Sequence, residues 1–66
     1  MSLEEVDRML ELLAKKQRTV KELSEILSLS EETIKLVVDF LCKYGFAERS
    51  DGMISLTPEG RKFLEL

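Results

Sequence analysis

Between Leu27 and Ile34 a helical hydrophobic pattern breaks for only about three residues, Ser28-Leu29-Ser30, and this short break constrains the chain more than any other feature. Before it, Thr19 and Glu22 form a capping box, and Val20, Leu23, Ile26 and Leu27 supply the inward face of a short helix that ends near Ser28. After it, Ser30 caps another helix, Glu31 and Glu32 sit in the first turn, and Leu29 and Ile34 are spaced as a hydrophobic staple. A link this short holds the second helix across the first at a steep angle.

Ser2 and Glu5 form a capping box, and Leu3, Val6, Leu10, Leu13 and Ala14 recur at helical spacing, which predicts a first helix from about Leu3 to Lys16. Lys15 and Lys16 in its last turn complement the negative end of the helix dipole. Met9 and Leu12 fall off the main stripe, so this helix is apolar over more than one face and is expected to find a partner beyond the domain's own core.

The third helix should bury Ile34, Val37, Val38 and Leu41 and end at Gly45 in the left-handed conformation. Cys42 reads as a small packing residue at the edge of the core, and Tyr44 and Phe46 as core aromatics at the corner that follows. Asp39 is spaced to pair with Lys35 or Lys43, worth a few tenths of a kcal/mol. Phe46–Ser50 and Met53–Thr57 flank Asp51-Gly52, the dipeptide of a tight two-residue hairpin turn. Thr57 then caps a last short helix with Pro58 at its first position, carrying Phe63 and Leu64 back to the core.

Sixty-six residues suffice for one domain, 1–66, whose core must be small because a chain of this size buries only about 60% of its unfolded surface. Hydrophobic residues at 44% and charged residues at 35% fit a globular domain, and neither a membrane span nor a signal peptide is visible, so the cytosol is the expected location. With no His and a single Cys there is no metal spacing and no internal disulfide. Without a glycine-rich phosphate loop or clustered carboxylates either, no catalytic residue, metal or cofactor is expected. Asn is absent and Gln17 is the single Gln, a depletion of thermolabile residues that points to a thermophilic origin. The net charge of -3 counts against nucleic acid, so the local distribution of charge has to decide.

The predicted fold is mainly α with a small β-hairpin. The element order, together with Leu41, Gly45-Phe46, Glu48-Arg49, Asp51-Gly52 and Leu56-Thr57-Pro58-Glu59-Gly60-Arg61, resembles winged helix-turn-helix domains of MarR-type and related prokaryotic and archaeal transcription regulators over roughly Thr19 to Leu66. That resemblance implies three helices, a two-stranded wing and a short C-terminal helix. It further implies that the third helix enters the DNA major groove, that the wing touches backbone or minor groove, and that homodimers read two half-sites about one helical turn apart.

The candidate phosphate contacts on double-stranded DNA are Arg18, Lys21, Lys35, Lys43 and Arg49; Lys15, Lys16, Arg18 and Lys21 make the densest basic cluster. The chain departs from its DNA-reading relatives at Leu36 and Phe40, whose matching positions are commonly polar or basic, and Glu31 and Glu32 add negative charge where the helix would approach DNA. The wing tip Ser50-Asp51-Gly52 carries no Lys or Arg, leaving Arg49 as the wing's cation. A second reading is therefore a protein-interaction module in which Leu36 and Phe40 form an exposed ridge for a protein partner or a second copy; the plainer one packs them laterally on the first helix or wing. Met9, Leu12, Leu36 and Phe40 are the expected interface residues of a homodimer.

Overall fold

The computed structural model describes residues 3–65, and the Ser2 half of the first capping box lies outside the described residues. The elements are α1 (Leu3–Lys15), β1 (Arg18–Thr19), α2 (Val20–Leu27), α3 (Glu31–Lys43), β2 (Ala47–Ser50), β3 (Met53–Leu56) and α4 (Pro58–Leu64).

The helix ends follow their local chemistry. Thr19 and Glu22 form the reciprocal capping box, with Glu22 N donating to Thr19 Oγ1 at 3.1 Å and Thr19 N donating to Glu22 Oε1 at 3.0 Å. At the other end of α2, Ser28 takes the left-handed conformation (φ 55°) and its N–H donates to the Ser24 carbonyl. Ser24 Oγ in turn donates to the Leu29 carbonyl at 2.5 Å, so one serine braces both sides of the turn. Ser30 caps α3 by accepting from Thr33 N at 3.1 Å.

The C-terminus of α3 closes with Phe46 N donating to Leu41 O at 2.8 Å and Gly45 N donating to Cys42 O at 3.1 Å, with Gly45 at φ 77°. This is the paired hydrogen-bond motif that glycine makes possible past a helix end. Positive φ at Asp51 (52°) and Gly52 (78°) turns β2 back onto β3, whose register runs from Ala47 opposite Leu56 to Ser50 opposite Met53.

The sheet has three strands in the order β1-β3-β2, where the sequence reading had two. Arg18 pairs with Ile54 and Thr19 with Met53. The capping residue of a helix already has extended backbone, here φ -85° and ψ 163° at Thr19, so the chain entering α2 is shaped to lie along the free edge of β3. This short strand ties the α2–α3 unit to the hairpin.

The core is formed by Met9, Leu10 and Leu13 of α1, Leu23 and Leu27 of α2, Ile34, Val38 and Leu41 of α3, and Ala47 and Ile54 of the hairpin. Several side chains sit differently from the sequence reading. Leu3, expected on the apolar stripe of α1, is 83% exposed in the first turn, before the helix reaches the core at Met9 and Leu10. Met9 is fully buried, because α1 packs against α2, β3 and α4 and so needs an apolar surface wider than one stripe. Ile26 is exposed, since the short α2 turns only Leu23 and Leu27 fully inward. Tyr44 is exposed, because the last turn of α3 carries it to the outer surface, while Phe46 folds inward beyond Gly45. Phe63 is partly exposed and covers Phe46, ring centroids 5.0 Å apart, while Leu64 reaches the core.

Candidate functional site

With residues advancing about 100° around a helix at each step, burial of Ile34, Val38 and Leu41 fixes which way the rest of α3 faces. Lys35 and Asp39 fall on one flank, Glu32, Leu36 and Lys43 point outward, and Phe40 and Tyr44 fall on the other flank. The wing lies beside the first flank. Arg49 of β2 donates from Nη2 to Asp39 Oδ1 at 2.5 Å, and its Nη1 is 3.9 Å from Cys42 Sγ.

The outward surface thus has two unlike sides. Next to the wing are Lys35, Asp39 and Arg49, with Lys43 at the helix end. Asp39 pairs with Arg49 across the two elements, and not with Lys35 or Lys43 along the helix as its spacing suggested. A guanidinium delivered by an adjacent strand can meet a carboxylate in a directed hydrogen bond, which two flexible lysines on the same helix do not require.

Away from the wing, Leu36 is 70% exposed, Phe40 53% and Tyr44 56%. They follow one another at four-residue intervals, and the Phe40 and Tyr44 rings stack at a tilt of 53° with centroids 4.8 Å apart. Lys43 Nζ lies 5.8 Å from the Tyr44 ring centroid, within reach of a cation–π attraction. Sequence reasoning missed Tyr44 as part of this ridge. The signal was present, since Tyr44 continues the Leu36, Phe40 spacing by one more turn.

The other sequence candidates separate. Lys21 is exposed on α2, and Glu31 and Glu32 are exposed in the first turn of α3. Arg18 is half-buried in β1 and its Nε donates to the Leu12 carbonyl at 3.3 Å, so it braces the α1 end against the sheet. Leu12 is half-buried against the core, and with Met9 in the core itself neither forms an interface ridge beside Leu36 and Phe40. Glu22 has its carboxyl held below the ordinary glutamate value, first by the backbone hydrogen bond from Thr19; partial burial opposes this, and the Thr19 hydroxyl, Lys16 and Arg18 add to it. Among the described residues no group of three or more Cys, Asp or Glu side chains is gathered to hold a metal ion, and no helix is long and apolar enough to cross a membrane.

No protein-family model matches the chain. No curated protein matches it either. Solved structures do. ZitR from Lactococcus lactis superposes with a TM-score of 0.88 at 20% identity, covering 98% of this chain and 47% of that one. IdeR from T. acidophilum gives 0.78 at 21% identity, covering 97% and 32%. PigF, solved with SAH, gives 0.70 at 18% identity, covering 92% and 20%. The chain therefore has the winged helix-turn-helix fold, with α2 and α3 as the helix pair and β2–β3 as the wing. It spans about half the length of ZitR and a third of IdeR.

Proposed function

We propose that this chain is a DNA-binding winged-helix module of a cytoplasmic transcription regulator, a binding element and not a catalyst. The observation that carries the reading is the seating of Arg49 against Asp39, which sets the wing along α3 and brings Arg49 to the flank that carries Lys35, with Lys43 facing outward at the end of the helix. Winged helix-turn-helix domains bring to duplex DNA this combination of presented helix and adjacent hairpin. The fold by itself leaves function open, and it is these cations that could meet phosphate.

Their number sets the scale. Each neutralised phosphate contributes about -0.9 to the slope of log K against log salt, and Lys35, Lys43, Arg49 and Lys21 allow about 3 to 4 contacts per chain. Glu31 and Glu32 oppose them, so binding is weak and depends steeply on salt. The test is a salt titration of binding to duplex DNA. Lys35→Ala with Lys43→Ala should flatten the slope by about 1.8 units. Glu31→Gln with Glu32→Gln should strengthen binding at low salt, and the gain should shrink as salt screens it. No duplex binding at about 50 mM salt, or a slope untouched by the lysine substitutions, refutes the reading.

The exposure of Leu36, Phe40 and Tyr44 favours a second reading, a protein-interaction module that uses the apolar side of α3. In that case Leu36→Ser with Phe40→Ser abolishes association and leaves DNA out of account.

A further inference from the structure

We propose that the Leu36–Phe40–Tyr44 stripe docks on the same stripe of a second copy of this chain, with the two α3 helices antiparallel. The stripe is a continuous ridge at four-residue spacing, the kind of ridge by which helices pack. Its charges choose the occupant. The first turn of α3 carries Glu31 and Glu32 and the last turn carries Lys43. An antiparallel pair sets the acidic turn of each copy beside the basic turn of the other, twice over by symmetry, and opposes the two helix dipoles. A parallel pair would put acid on acid.

Asp39, the acid in the middle of α3, does not interfere, because Arg49 holds it on the wing flank. With the twofold axis near residue 38, Leu36 of each copy meets Phe40 of the other, while Tyr44 and Lys43 cover Glu32. The surface is thus self-complementary in both apolar area and charge, which is what a symmetric contact requires.

The area sets its strength. The exposed parts of these three side chains offer roughly 400 Å² per copy, about half of the ~800 Å² per partner of a standard interface. The dimer is accordingly weak and reversible, forming at tens of micromolar or above. It covers the outward face of α3, so a chain paired in this way cannot also offer that face to DNA; this consequence, unlike the pairing itself, rests on the DNA reading.

Sedimentation equilibrium without DNA, from about 5 to 500 µM, tests the pairing across the range set by so small an interface. The wild-type chain should show a reversible monomer–dimer equilibrium, and Phe40→Ser should remain monomeric throughout. Because Phe40 is more than half exposed, that variant should keep its helical circular dichroism. Glu32→Lys and Lys43→Glu should each weaken the dimer about 10-fold, and the double reversal should restore it to within about 3-fold, since the exchanged charges still meet. A wild-type chain monomeric to 500 µM, a dimer indifferent to Phe40→Ser, or a double reversal as weak as the singles overturns the proposal; the first outcome would leave the stripe to a different protein. A dimer that behaves as stated in a chain that binds no duplex leaves this pairing standing and removes the DNA reading alone.

Discussion

Gly60→Ala pits two opposed effects against each other in the helix that locks the wing. Gly60 sits inside α4, where replacing glycine by alanine ordinarily stabilises a helix by about 1 kcal/mol. Here a Cβ would stand 2.2 Å from Phe46 O, 2.6 Å from Leu56 Cδ1 and 3.0 Å from Phe46 C. The leucine methyl can swing aside. The carbonyl cannot, because Phe46 O accepts from Thr57 N at 3.1 Å and Phe46 N donates to Leu41 O at 2.8 Å. Relief requires α4 to move away from the α3–β2 corner by about 1 Å, and overpacking of this kind costs about 1–3 kcal/mol, its upper end where backbone is involved. Taking about 3 kcal/mol against the gain of about 1, the net loss is about 2 kcal/mol. In a domain this small that lowers Tm by about 8–16 °C. Urea and thermal unfolding followed by circular dichroism would measure it. A Gly60→Ala chain that melts at or above the wild-type temperature would show that helix propensity wins and that the close approach is not a constraint.

Three further outcomes are expected. Ser28→Gly should stabilise the chain by about 1 kcal/mol, read as a higher urea midpoint, because it removes the left-handed penalty at φ 55°; a lower midpoint would refute this. The Glu22 carboxyl should titrate below 4.5 in a carbon-detected NMR series. Since its folded value is depressed, the stability it contributes is present above the unfolded value and is lost as pH falls through the folded one, so Glu22→Ala and wild type should converge in Tm at acid pH; a carboxyl titrating at or above 4.5 would refute the cap. Asp39→Asn should change folding stability by less than about 1 kcal/mol, as exposed ion pairs do, yet tighten duplex binding at low salt, because the carboxylate that competes with phosphate for Arg49 is gone; an unchanged affinity would remove Arg49 from the contact.

The division between what the sequence disclosed and what it hid follows the range of the interactions. The capping box at Thr19, the glycine closure at Gly45, the Asp51-Gly52 turn and the Thr57-Pro58 start are settled by neighbours within a few residues, and all are found in the structure. The run from Leu56 to Gly60, recognised as a mark of the wing's exit, has a physical basis. Thr57 donates to Gly45 O while accepting from Gly60 N, and Gly60 lets α4 lie against Phe46 O.

Tyr44 was legible from the spacing along α3, whereas three other misplacements required partners distant in sequence. The strand at Arg18-Thr19 exists because Met53 and Ile54 run past it. Met9 is core because three elements surround α1, which no periodicity measured on one helix reports. Asp39 had two lysines at the right helical spacing, and the arginine that holds it comes from the wing. At the candidate site, the outward presentation of Leu36 and Phe40 was legible from the helical pattern, whereas the charge state of the wing flank was not.

Salt should sort the two occupants of α3 if both readings hold. Around the helix, Lys35, Lys43 and Arg49 face Glu31, Glu32 and Asp39, so neither occupant gains from a large net field. A DNA contact that uses the three cations carries a slope of about -2.7, and raising salt from about 50 to about 200 mM then weakens it about 40-fold. The second-copy contact has an apolar centre with charge pairs at its two ends, which screening weakens only a few-fold over the same range. The balance between DNA-bound and paired chains should therefore move toward pairing as salt rises, at fixed protein and DNA concentration. Fluorescence anisotropy of labelled duplex, run beside sedimentation of the unlabelled chain at each salt concentration, separates the two slopes. Equal slopes for DNA release and dimer dissociation would mean that one kind of contact governs both, and that the two-sided description of α3 is wrong.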